Sequence, residues 1–383
     1  MGSAFIVEMA RTPVGRRGGS LAELHPLDVA SDLLAALVRR SGIDPEAVDD
    51  VIMGLTDQLG PQAGDTARLA WLAAGLPQRV PGVTIDRQCG SSQQAVHFAA
   101  QAVMSGTQDV VIAGGVQLMS VVPINIAWRA GAELRHPDPF STSKRWQHAF
   151  GNQEISQFKS AEMIAQKWEI SREEMERLAL ESHRRALAAI DAGRFVSQIE
   201  PVGEFAQDEG PRRDSTMERM AKLKPLLEGG RVTAATSSQI SDAASAVLVC
   251  SEDAIKKHGL KPLARIHTMT VLGDDPIFML TAPIPATQHA LKRSGLRTSD
   301  IDLYEVNEAF ASVVIAWQRE LGVDWDRINV NGGAMSLGHP IGASGTRIMV
   351  DLITEMRRRG ARYGLQTMCE GGGQANVTIL EKM

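Results

Sequence analysis

Cys89 stands in the stretch Val83-Thr84-Ile85-Asp86-Arg87-Gln88-Cys89-Gly90-Ser91-Ser92-Gln93-Gln94-Ala95. A short β-branched run enters this stretch. A helical pattern leaves it, with apolar residues at Ala95, Phe98, Ala99, Ala102 and Val103, and stops at Ser105-Gly106. The spacing therefore puts Cys89 on a strand-to-helix turn. Free N–H groups and the helix dipole would favour a thiolate there, so a depressed pKa is expected. A free Cys is more often a small buried hydrophobe. The Gly/Ser-rich surroundings favour a nucleophile here.

Three further turns concentrate reactive residue types. One is Asn307-Glu308-Ala309-Phe310, directly after a strand pattern. Another runs from Asn331-Gly332-Gly333-Ala334 to Gly338-His339-Pro340-Ile341-Gly342-Ala343-Ser344-Gly345. The last is Cys369-Glu370-Gly371-Gly372-Gly373-Gln374. Its glycines let backbone approach a ligand and aim N–H groups at it. Cys250, in Ala246-Val247-Leu248-Val249-Cys250, reads as core filling. Two cysteines and one histidine suit a nucleophile, a base and a second acid/base, and the glycine turns suit oxyanion donors. That set fits acyl transfer through a thioester. It does not name the substrate.

The elements that position these turns occur twice. Early in the chain come a strand over Phe5–Ala10, a helix around Val29–Val38 ending at Gly42, a strand near Val48–Gly54, the Cys89 turn and its helix, and a buried strand at Val110–Gly115. The last third repeats the order. A helix ends at Ser294-Gly295, and strands follow at Ile301–Val306 and Ile328–Asn331. Gly345 opens a helix ending at Gly360, and a final strand, Leu365–Met368, runs into Cys369. Counting back from Gly360 as from Gly106 sets Ala343 opposite Cys89. Two βαβ-rich halves imply a pseudo-twofold fold, with the two turns facing each other at strand C-termini. Between the halves, roughly Met119–Gln239, the chain is richer in charge. A capping box, Ser171-Arg172-Glu173-Glu174, opens a long helix with Met175, Leu178 and Leu187 on its apolar stripe. Such an insertion reads as a lid or binding subdomain. Lys144, Lys159, Arg212, Arg213, Lys222 and Lys224 lie in it and are candidates for holding phosphates.

The totals exclude several classes. With 383 residues, 44% hydrophobic and 22% charged, the chain suits a globular protein of two or three domains. A net charge of -5 gives no global basic field toward nucleic acid or an anionic membrane. No apolar run approaches the ~18 residues of a membrane span. Three Cys without a Cys-x-x-Cys pair argue against a disulfide scaffold or a metal site and for a reducing compartment, the cytoplasm by default. No secretory, myristoylation or peroxisomal signal is read at the ends.

The segments Arg11-Thr12-Pro13-Val14-Gly15, the Cys89 turn, Ser237-Ser238-Gln239-Ile240-Ser241-Asp242, Asn307-Glu308-Ala309-Phe310, Gly338–Gly345 and Cys369–Gly373 occur together and in one order. In this the sequence resembles the thiolase family over nearly its whole length. The resemblance implies an α/β fold of five layers, α-β-α-β-α, built from two duplicated halves with an inserted loop domain. The N-terminal half would be 1–118 plus 240–262, the loop domain 119–239 and the C-terminal half 263–383. It further implies Cys89 as the acylated nucleophile and His339 as its base and an oxyanion donor. Asn307 would hold an oxyanion-hole water, Cys369 would be the general acid/base, and the Gly371 N–H would join that of Cys89 in a second oxyanion hole. Ser238 would meet the pantetheine arm and Arg212 the nucleotide end of coenzyme A, with Met279, Ala309 and Phe310 lining the tunnel. Coenzyme A would be a co-substrate, with no permanently bound cofactor and no metal, and the enzyme a homodimer or homotetramer.

Four places differ from the commonest family form: Gly90-Ser91-Ser92-Gln93, Asp242-Ala243, Glu370 and Gln374-Ala375-Asn376. With Asp86-Arg87-Gln88-Cys89 these look most similar to actinobacterial thiolases of steroid breakdown. The expected activity is thiolytic cleavage of a 3-oxoacyl-CoA, from a fatty acid or a steroid. Two alternatives are a biosynthetic acetoacetyl-CoA thiolase or other condensing enzyme, and a non-catalytic acyl-CoA-binding scaffold. The scaffold would be expected to lack Cys89 or His339.

Overall fold

The first helix begins and ends where local groups satisfy its free backbone donors and acceptors. Pro26 opens the first helix with the His25 ring accepting the Leu27 N–H, and left-handed Gly42 closes it. Gly106 and Gly360 close the two central helices in the same conformation. The computed structural model describes residues 2–383. The chain starts with β1 (Ala4–Arg11), β2 (Gly15–Arg16), α1 (Pro26–Ser41), β3 (Asp50–Gly54), α2 (Thr66–Ala73), β4 (Gly82–Ile85), α3 (Ser91–Ser105) and β5 (Val110–Leu118). The insertion follows with α4 (Ile126–Ala130), α5 (Lys144–Phe150), α6 (Gln157–Lys167), α7 (Arg172–Asp191) and α8 (Met217–Ala221). Then come β6 (Ser241–Ser251), α9 (Glu252–His258) and β7 (Ala264–Gly273). The chain ends with α10 (Pro283–Ser294), β8 (Leu303–Val306), α11 (Ala311–Leu321), α12 (Ala334–Leu337), α13 (Ser344–Arg359), β9 (Tyr363–Glu370) and β10 (Gln374–Lys382).

The strands run in the order β4-β3-β5-β6-β1-β7-β10-β9-β8, with β2 beside β6. β3 is parallel to β4 and β5, while β5, β6 and β1 alternate in direction. The other side mirrors this: β8 is parallel to β9, and β9, β10 and β7 alternate. The sides join only where Phe5 and Ile6 of β1 pair with Arg265 and Ala264 of β7. Thus β1, β3, β5 and β6 correspond to β7, β8, β9 and β10, and the duplication is explicit.

Layering follows from which faces are apolar. α1 and α2 pack one core with Leu33, Leu37, Val51, Trp71 and Leu248. A second core holds Ala95, Ala99 and Val103 of α3 with Met349, Leu352 and Ile353 of α13, between strands of both sides. A third lies outside β7–β10, with Ala286 of α10 and Trp317 of α11. This gives helices, sheet, the α3/α13 pair, sheet and helices. In that middle layer α3 buries several faces, including Gln93, Gln94 and His97. Phe98, placed on the apolar period by sequence, points outward instead.

Two sequence expectations about strands are corrected. Ile328–Asn331 is not a strand. Asn329 is left-handed (φ 46°), and its side-chain amide pairs with both backbone groups of Val306 at 2.8 Å. One side chain there supplies bonds that a strand backbone would supply. The final strand is also not Leu365–Met368 but β10. Gly372 and Gly373 are left-handed (φ 83° and 75°) and fold β9 back into an antiparallel hairpin. Cys250 fills the core of β6, fully buried, as expected.

Candidate active site

The nucleophile turn is held by its own backbone. Gln88 takes a left-handed conformation (φ 51°), which costs a non-glycine residue about 1 kcal/mol. Asp86 offsets this by accepting the Gln88 N–H at 2.7 Å, and Ser91 Oγ donates to Gln88 O at 2.6 Å. Cys89 follows, just before the Gly90 cap of α3. The N–H groups of Cys89 and Gly371 both act on the Cys89 sulfur and favour its anion. Among the described residues neither amide donates to another backbone or side-chain acceptor. They form a pair of converging donors.

The expectation of a depressed Cys89 pKa is overturned. The residue is half-buried, but its sulfur is enclosed by protein, and burial together with the nearby Glu370 carboxyl pushes the thiol up to about 12. Cys89 precedes the helix cap, so the dipole and two amides do not outweigh lost solvation. Cys369 is buried and also pushed well above its ordinary value, by burial and then by Cys89 and Glu370. Both shifts favour the protonated thiol at rest, so a Cys89 nucleophile would need a base to take its proton.

His339 is the candidate base. It is buried, and its Nδ1 lies 2.5 Å from Ser344 Oγ. Ser344 Oγ donates its one proton to Pro340 O at 2.9 Å. It must then accept from Nδ1–H, which leaves the lone pair on Nε2. Asn307 Nδ2 lies 3.4 Å from that Nε2, while Asn307 Oδ1 is buried without a partner. Burial, then Arg347, lowers the His339 pKa to about 3, so the imidazole is neutral and able to accept.

All four turns meet. The nucleophile turn touches the Cys369 turn through Arg87 Nη1, 2.6 Å from Gln374 Oε1, and Gln374 Nε2 donates to Gly371 O at 3.2 Å. The His339 turn reaches the start of α3, where the Thr346 N–H donates to Ser92 Oγ at 3.0 Å. Gly345 lies so close to the backbone of Gln93 that a Cβ would collide with it. Ala343 is the N-cap residue of α13, as Gly90 is of α3, so the two helix starts face each other. The Asn307 turn joins through His339 and through Glu308, which accepts from Ser182 of α7 at 2.7 Å and from the Met335 N–H at 3.1 Å. The insertion is thereby anchored on the site. Of the expected capping box only the Ser171 half forms, its hydroxyl accepting the Glu174 N–H, while the Glu174 carboxylate accepts from Arg319 instead; Met175 is buried, with Leu178 and Leu187 only half-buried.

Met279, Ala309, Phe310 and Cys369 pack in one apolar cluster. Ser238 is half-buried nearby, its N–H donating to Ala309 O at 2.9 Å. Arg213 is tied to Asp191, whereas Arg212 is exposed and has no ion pair among the described residues. Sequence reasoning missed Ser344, whose hydroxyl selects the His339 tautomer, and Ser182. Ser344 lay inside a quoted motif but carried no charge or reactivity to mark it. Among the described residues no cluster of His, Cys, Asp or Glu could hold a metal ion. No helix is long and apolar enough to cross a membrane.

Two family models match the chain: thiolase, N-terminal domain, over residues 4–253, and thiolase, C-terminal domain, over residues 260–382. The sequence is 57% identical over 387 aligned residues to a steroid 3-ketoacyl-CoA thiolase of Mycobacterium tuberculosis, covering 100% of this chain and 95% of that protein. It is 40% identical to the mitochondrial 3-ketoacyl-CoA thiolase of Bos taurus, over 98% of each. The crystal structure of the Bacillus anthracis acetyl-CoA acetyltransferase superposes with a TM-score of 0.89 at 37% identity, covering 100% of this chain and 99% of that one.

Proposed function

The chain belongs to the thiolase family and is an acyltransferase that cleaves 3-oxoacyl-CoA with coenzyme A; from this premise we propose that its acyl group is steroid-derived and that Cys89 carries it. The 57% identical relative that acts on steroid substrates supports the substrate class. One observation supports the mechanism: the amides of Cys89 and Gly371 converge on a sulfur at the start of α3, which the segment carrying a neutral His339 contacts, and the His339 Nε2 lone pair faces only the Asn307 amide at 3.4 Å.

In that mechanism Cys89 Sγ attacks the 3-oxo carbon as its proton passes to His339 Nε2. The C2–C3 bond breaks, the acyl group stays on sulfur, and the electron pair leaves on the acyl-CoA enolate. Protonated His339, with a water held at Asn307, stabilises the enolate oxygen. Cys369 gives the enolate carbon its proton, releasing acetyl-CoA or propionyl-CoA. Cys369 then takes the proton of an incoming coenzyme A thiol, whose thiolate attacks the Cys89 thioester. The Cys89 and Gly371 N–H groups stabilise that oxyanion, and Cys89 recovers its proton from His339. A thiol suits the shuttle because its ordinary pKa, ~8.5, is close to that of coenzyme A.

Ser238 would meet the pantetheine, and the exposed Arg212 the nucleotide end. Met279, Ala309 and Phe310 would wall the acyl tunnel. A homodimer or homotetramer is the family's form and is the expected assembly. The test is a panel of 3-oxoacyl-CoA thioesters, linear and ring-derived, followed by loss of Mg²⁺-enolate absorbance on adding coenzyme A. Ring-derived thioesters should be cleaved with the higher kcat/KM. Preference for short linear chains would overturn the steroid assignment, and no cleavage of any would overturn the mechanism.

A further inference from the structure

Glu370 follows Cys369 on β9, and strand alternation sends the two side chains to opposite faces. Cys369 joins the Met279–Phe310 cluster, while Glu370 lies against Gly90, where a Cβ would collide with its Oε1. The carboxyl is fully buried, and neither oxygen has a hydrogen-bond partner. A buried carboxylate without partners is strongly disfavoured. The groups facing it come from three directions. The nucleophile turn brings Arg87 and Cys89, and also Asp86, which acts on Cys89. α3 contributes neutral His97 and Gln94, bonded to Asn376 rather than to Glu370. β9 and β10 contribute Cys369, Gln374 and Asn376. The cation in this set, Arg87, is engaged with Gln374 at 2.6 Å.

We propose that Glu370 is a positioning residue that must be neutral for Cys89 to react, and that its ionisation holds the Cys89 proton in place. This rests on the reading of Cys89 as nucleophile. Burial pushes the carboxyl up to about 8, against the pull of Arg87 and of the Asn376 backbone N–H, which approaches without reaching hydrogen-bond geometry. Below that pH the two thiols have no added negative charge beside them. Above it a carboxylate stands next to both and opposes a thiolate on either, as its effect on the two thiols indicates. The site then has an alkaline ceiling set by a residue outside the reacting atoms.

The test reads Cys89 without turnover. Iodoacetamide alkylation of the Cys89 peptide is timed by mass spectrometry from about pH 6.5 to about pH 10, in the wild type and in Glu370→Gln. The two should agree near the acid end. Toward the alkaline end Glu370→Gln should react roughly three- to tenfold faster, the change that a half- to one-unit fall in thiol pKa makes. Superimposable profiles with a reactive Cys89 would overturn the role of Glu370 alone. A Cys89 inert at every pH in both proteins would overturn the nucleophile reading beneath it. If circular dichroism shows Glu370→Gln unfolded, the wild-type profile decides: a bend to shallower slope near pH 8 supports the proposal, and an unbroken rise overturns it. Loss of packing alone would not produce a difference confined to alkaline pH.

Discussion

A thiol pushed up to about 12 has little thiolate at neutral pH, so on the proposed mechanism Cys89 gains its reactivity from where its proton can go. His339 Nε2 keeps its lone pair, with the Asn307 amide 3.4 Å away, because Ser344 and Pro340 fix the other nitrogen as the donor. Cys89→Ala removes the proposed acceptor of the acyl group but none of the apolar cluster around Cys369. Turnover should fall to background, while acyl-CoA binding by calorimetry stays largely intact; retained turnover would rule out the acyl-enzyme. Cys369→Ala leaves the proposed nucleophile and removes the proposed second proton carrier. Steady-state thiolysis should slow by roughly a hundredfold or more. An unchanged rate would reduce Cys369 to a packing residue.

Two helices and the strands beneath them hold these groups together, and glycines set the approach. Gly54 at the end of β3 lies against the Ser92 backbone, and Gly345 in the first turn of α13 lies against that of Gln93. A side chain at either place would meet backbone rather than a movable side chain, so the first turn of α3 would have to shift. Gly345→Ala should therefore act as overpacking, costing about 1–3 kcal/mol in denaturant unfolding. It should also slow Cys89 alkylation, because the displaced turn carries the sulfur away from His339. Wild-type stability and alkylation in this variant would show that the contact is not a constraint.

Over the whole molecule, a buried ionic connection ties the halves to the insertion. Arg11 at the end of β1 forms a bidentate pair with Asp208 of the insertion, at 2.7 and 2.9 Å. It also reaches Asp351 of α13 at 3.4 Å, and Arg347 approaches that carboxylate at 2.6 Å. Arg11, Asp208 and Asp351 are all buried. Asp208→Ala would leave the Arg11 charge enclosed without its main partner. Breaking a buried pair in this way costs about 3–5 kcal/mol. Thermal unfolding should show a loss of that size; a change under about 1 kcal/mol would mean that water or Asp351 replaces the pair.

The sequence alone determined the duplicated order of elements, the four reactive turns and the helix ends at Gly42, Gly106 and Gly360. These are local matters of period, capping and glycine punctuation, which neighbouring residues settle. It also singled out the turns of Cys89, Cys369, His339 and Asn307 as candidates for acyl transfer, because their Gly-rich, reactive composition has little use in packing. The tertiary structure alone decided their state. A Cys near a helix start reads as acidic until burial and Glu370, far away along the chain, raise it instead. The tautomer of His339 depended on where the Ser344 proton points. Asn329 took over the bonds of an expected strand because Val306 came within reach of its side chain. Desolvation and long-range hydrogen bonds depend on residues brought together from both halves, and those neighbours are not written in the local sequence.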